Sequence, residues 1–232
     1  TGANNTAVGR SALGANTTAD NNVAVGYQAL ITNTTGANNV AIGYQSMDAN
    51  TTGLNNVAVG SNTLGNATTA DTNTAFGHSA AAAITTGYDN VAIGALALAT
   101  ATTHYQNVAV GYEALTDNTN NNCTAIGFQA AKNNTSGSVQ AFGRRALFTN
   151  TTGTNLTAVG YQALNSNTTA DNNTAVGYNA LYTNSTGYEN VAVGNETLEA
   201  NSTGHTNTAV GYKALEANTT ANGNTAVGAY AL

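Results

Sequence analysis

An alanine set between two larger side chains and followed by glycine recurs along the whole chain. The glycines of these motifs are Gly9, Gly26, Gly43, Gly60, Gly77, Gly94, Gly111, Gly127, Gly143, Gly160, Gly177, Gly194, Gly211 and Gly228. Successive glycines are 17 residues apart except for two steps of 16, from Gly111 to Gly127 and from Gly127 to Gly143. With each glycine numbered zero, Ala holds position −2 in all fourteen copies, Val, Ile or Phe holds −1, and Val or Thr holds −3 except at Gln140. That period-2 alternation predicts a short strand, with glycine marking an unusual backbone angle or a close neighbour. A 17-residue repeat is too short for a helical pair, which needs about 33 residues. The expectation is an all-β fold: a parallel β-solenoid or β-roll of about fourteen 17-residue coils. Leu at +4 in eleven copies, three residues after a frequent Tyr at +1, fits either a short helical turn per coil or a corner before a second strand. The large residues at −3, −1 and +4 are expected to point inward. They are too few to fold one coil alone, so stability must come from neighbouring coils.

The polar positions repeat as strictly. Asn at −4 fits an internal ladder of stacked amides, with rungs at Asn22, Asn39, Asn56, Asn73, Asn90, Asn107, Asn173, Asn190 and Asn207. Cys123 replaces one rung and reads as a buried, inert thiol. The Tyr residues at +1 read as a stacked aromatic column rather than a sugar platform. Residues 1–232 form a single continuous array with no capping coil, which leaves open ends able to stack on further copies.

Composition follows from the repeat. Only 7% of the residues are charged, against about 25% in an ordinary domain. There is no Pro or Trp, and one Cys. The net charge of −6, with five cations, argues against a nucleic-acid partner, and no apolar run is long enough for a membrane span. A lone Cys excludes an internal disulfide framework. His78, His104 and His205 occupy different coil positions, and no catalytic, phosphate-binding or metal-binding motif appears, so neither enzyme activity nor a cofactor or metal is expected. Asp20, Asp71 and Asp171 share position +11 and read as turn residues.

Three surface features carry candidate chemistry. Asn at +7 opens a glycosylation sequon at Asn16, Asn33, Asn50, Asn134, Asn150, Asn167, Asn184, Asn201 and Asn218, which on a coil would line one outer edge. The same edge, with Thr at +9, could order ice or stack on a polysaccharide. An apolar substitution of this column at Ala67, Ile84 and Ala101, together with the basic Lys132, Arg144 and Arg145, forms a candidate inter-chain patch.

The runs NNVAIG (38–43), NNVAVG (21–26 and 55–60) and NTAVG (173–177 and 207–211) resemble the NSVAIG-type head repeats of trimeric autotransporter adhesins and related bacterial and phage fibre repeats. That resemblance implies a β-roll on a bacterial surface whose partners are copies of itself, in a trimer or filament, and glycans or environmental surfaces. The expected function is an extracellular or cell-surface structural fibre or adhesin stalk, with an ice- or polysaccharide-binding solenoid as the alternative.

Overall fold

A computed structural model describes residues 2–232. The chain divides into two compact units, Thr1–Asn121 and Asn122–Leu232, each a parallel β-solenoid. The first holds seven strands: β1 Thr6–Val8, β2 Val23–Val25, β3 Val40–Ile42, β4 Val57–Val59, β5 Thr74–Phe76, β6 Val91–Ile93 and β7 Val108–Val110. The second holds β8 Thr124–Ile126, β9 Val139–Phe142, β10 Leu156–Val159, β11 Thr174–Val176, β12 Val191–Val193, β13 Thr208–Val210 and β14 Thr225–Val227. Within each unit, consecutive strands are neighbours and run parallel, with equivalent positions aligned, as in Ala24↔Ala41 and Ala175↔Ala192.

Three strand residues per coil would make a weak sheet, but inter-coil bonding continues around the corner. The +2 amide of Gln45 donates to Tyr27 O at 2.9 Å, the +4 amide of Met47 to Thr63 O at 3.0 Å, and the +8 amide of Thr51 to Thr68 O at 2.9 Å. Stability in such a stack is a property of neighbouring coils.

The segment after each glycine is neither a helix nor a second strand among the described residues. It is a turn in which +2 and +4 take the left-handed conformation, as at Gln28 (φ 56°) and Leu30 (φ 50°), with a third such residue at −5, as at Asn38 (φ 59°). Asn accepts this region readily; Leu does not, and the penalty is about 1–3 kcal/mol. Leu30 is held there because its amide donates to Ser46 O at 3.1 Å and its side chain is fully buried. Glycine at zero is required twice over. Gly43 has φ 138°, and a Cβ there would lie 2.6 Å from the carbonyl carbon of Gly60 in the next coil.

The strand faces are the reverse of those expected. Ala24, Ala41, Ala58 and the −2 alanines of the other inner coils are fully buried, Ala7 of the first strand is exposed, and Val or Thr at −3 and Val, Ile or Phe at −1 point outward. Only Leu at +4, of the three expected inward residues, fills the interior. The core is a thin column of Ala at −2 and +3, Leu at +4, and two columns of Asn, so a β-branched or aromatic residue at −1 has no room inside. The 16-residue step from Gly127 to Gly143 also has a local cause. One residue, Ser138, stands between Gly137 and Val139 where other coils have two, the left-handed −5 residue is gone, and β9 lengthens to four residues that pair Val139 with Leu156.

Candidate functional site

The chemistry that repeats in every coil lies inside. In the −4 column, Asn22, Asn39, Asn56, Asn73, Asn90, Asn107, Asn173, Asn190 and Asn207 are buried. Asn39 Nδ2 donates to Gly53 O at 2.8 Å, and its Oδ1 accepts the backbone N–H of Asn56 at 3.0 Å. Each amide therefore bonds across its own coil and along the stack.

The +7 column forms a second internal ladder, which corrects the reading of these residues as an outer edge. Asn33, Asn50, Asn134, Asn150, Asn167, Asn184 and Asn201 are fully buried; Asn16 and Asn218 are half-buried. Asn184 Nδ2 donates to Gly187 O at 2.8 Å and to Asn167 Oδ1 at 3.2 Å. A glycan would have to displace one of those N–H bonds and pass through the packed coil. The intact mass of chain produced in a glycosylating secretory host is expected to equal that of the unmodified 23.2 kDa polypeptide. Added hexose mass at Asn33 or Asn184 would contradict the ladder.

Ala67, Ile84 and Ala101 are also fully buried, so they are not part of an inter-chain patch. They replace three rungs of the +7 ladder with apolar filling, and Asn50 Oδ1, facing the first of them, has no hydrogen-bond partner. The cations of that patch lie elsewhere. Arg144 donates to Tyr161 Oη at 2.8 Å and lies over the Phe128 and Tyr161 rings, and Arg145 donates to Gln129 Oε1 at 2.9 Å and lies over Phe148. Lys132 is half-buried.

The two ladders converge on one acceptor, the carbonyl at +10. Gly53 O receives both Asn39 and Asn50. Where +7 is apolar, the −4 amide alone serves it: Asn56 donates to Ala70 O at 2.7 Å, Asn73 to Gly87 O at 2.9 Å and Asn90 to His104 O at 2.9 Å. Where −4 is Val139 or Leu156, the +7 amide serves it, from Asn150 to Gly153 O at 3.0 Å and from Asn167 to Ala170 O at 3.1 Å. No coil described by these bonds lacks both donors, as expected if an unpaired buried carbonyl is costly.

Cys123 fits the same scheme. Its thiol is fully buried and donates to Gly137 O at 3.3 Å, and burial pushes its pKa up. In the native protein Cys123 is expected to resist iodoacetamide and to react once the chain is unfolded. Native-state alkylation on a minute timescale would mean that this coil opens.

The aspartates at +11 hold adjacent coils: Asp71 Oδ1 accepts the Leu54 amide at 2.7 Å and Asp171 Oδ1 the Thr154 amide at 2.7 Å. The aromatic columns stack. Tyr27 and Tyr44 have centroids 5.4 Å apart, Tyr161 and Tyr178 5.2 Å, and His205 lies 4.5 Å from Tyr188. In each such pair one face of each ring is covered by its neighbour. His78 is exposed and His104 half-buried, with its pKa lowered by desolvation.

One cluster escaped the sequence reading. Glu196, Glu199 and Glu216 converge at +2 and +5 of adjacent coils, a juxtaposition visible only once the residues are written in coil register. The ammonium of Lys213 lies 2.9 Å from Glu196 and 2.7 Å from Glu216, which raises its pKa, and it takes the place a cation would occupy.

The outward strand face is the remaining candidate. Phe76 is 44% exposed, Ile93 41% and Ile126 40%. No family model, curated protein or solved structure matches the chain.

Proposed function

We propose that this chain is an extracellular structural element, a fibre or adhesin stalk built from stacked β-coils, with no catalytic role. One observation carries the reading: the recurrent polar side chains at −4, +7, +8 and +11 bond from coil to coil. Thr34 Oγ1 on Thr51 O at 3.0 Å is the +8 example. Side chains used this way hold a stack together and leave little to act on a substrate. The resemblance of the NNVAIG and NTAVG runs to adhesin head repeats supports a cell-surface location. Antibody labelling of intact cells that express the chain, read by electron microscopy, tests both parts. Label on fibres at the cell surface is expected. Label only after permeabilisation, or surface label away from any fibre, would overturn the reading.

The alternative of ice or polysaccharide binding loses the +7 Asn to the interior. What favours it still is the exposed Thr row at +9, as in Thr35, Thr52 and Thr69. Partition into growing ice, or retention on insoluble polysaccharide, that is abolished by Thr52→Val and Thr69→Val would establish it.

A further inference from the structure

We propose that the outward strand face of each unit is an interface with the same face of a second copy of the chain. The inference deepens the structural role above and rests on it. The face consists of the columns −3, −1 and +1. Seven strands about 4.8 Å apart, and a width of about five residues with side-chain margins, give roughly 600–700 Å² per unit. Val, Ile, Phe and Tyr make up most of the face in the first unit, Thr or Gln at −3 in eight of the fourteen copies makes it part polar, and its area approaches the ~800 Å² per partner of a stable interface.

Charge argues for the same surface. All eleven acidic residues lie outside these three columns. In a chain of net charge −6, this is the side on which two copies approach with least repulsion. The cations on it, Arg10 and Arg144, lie over Tyr27 and over Phe128 and Tyr161, so each is already stacked on a ring.

Periodicity identifies the occupant. Side chains on the face recur at the strand pitch, about 4.8 Å. A partner that matches them over several coils needs the same pitch, and a second stack of these coils has it. Related by a two-fold axis, two such faces are self-complementary, and their β-branched columns interleave as in packed sheets about 10 Å apart.

Sedimentation of the full 232-residue chain over a concentration range up to about 100 μM tests this, since a μM interface is saturated there. A dimer is expected, no weaker in high salt because the face holds no acidic residue and no ion pair crosses the contact. Phe76→Glu combined with Phe142→Glu, one on each unit, is expected to weaken association at least 100-fold, and Thr52→Glu on another exposed row to leave it unchanged. Circular dichroism reports folding. If the double Glu variant fails to fold, Phe76→Ala with Phe142→Ala is expected to weaken the dimer about 10-fold. A wild-type monomer at the highest concentration would overturn the proposal. So would folded Glu variants that associate as wild type does, the result for stacking through coil ends. A monomer whose antibody label still lies on surface fibres of expressing cells would sink the interface and spare the structural role; label found only inside the cell would sink the role itself.

Discussion

Gly177→Ala is expected to destabilise the second unit by about 4 kcal/mol or more, enough to unfold several coils, because two penalties add. The backbone there has φ 141°, a region L-residues avoid at about 1–3 kcal/mol. The new methyl would also lie 2.6 Å from the carbonyl carbon of Gly194, a backbone atom that cannot rotate away. Moving it would lengthen the inter-coil bond from Gly194 N to Val176 O, now 2.8 Å. Gly65→Ala is the control. Its Cβ would meet nothing closer than 3.4 Å, and a change within about 0.5 kcal/mol is expected, as for an ordinary surface substitution. Urea unfolding of both variants measures the difference. Equal midpoints would mean that the coils do not approach as closely as described.

Asn150→Ala is expected to cost about 3–4 kcal/mol, from an orphaned buried carbonyl, lost ladder bonds and a small cavity. Asn150 is the amide donor to Gly153 O in a coil whose −4 residue is Val139, and it also links Asn134 and Asn167 at 2.7 and 2.8 Å. Asn184→Ala removes a rung of the same ladder, but Gly187 O keeps the amide of Asn173 at 2.7 Å. Its expected cost is smaller by about 1–3 kcal/mol, the value of leaving one buried acceptor unpaired. The rescue is specific: Val139→Asn added to Asn150→Ala places a donor in the other column and is expected to recover part of the loss. Thermal or urea midpoints that rank the two single variants equally would refute the shared-acceptor rule.

The coil length, the parallel in-register strands and the −4 column are legible in the residues, because each depends on identity recurring at a fixed spacing. Which strand face turns inward is not legible from alternation, since a period of two marks two faces without naming the inner one. The better signal is variance. Ala at −2 is invariant, as a narrow bore requires, whereas −1 ranges in bulk from Val25 to Phe76, which only an open surface tolerates. The +7 Asn column was open to the same test. Its replacements Ala67, Ile84 and Ala101 are all apolar, as an interior position allows, whereas sequon chemistry and a turn-like composition point outward. Left-handed Leu at +4 was hidden because propensity opposes it, and only the neighbouring coils enforce it.

In-register stacking has one more consequence. Each regular coil, with Asn at both −4 and +7, hands to the next the same donors and acceptors that it received, so a run of such coils sets no limit on its own number. Seventeen residues are one graduation of about 4.8 Å, and duplication or deletion of a whole repeat changes reach without changing any junction. Length here is a digital quantity, adjustable one graduation at a time.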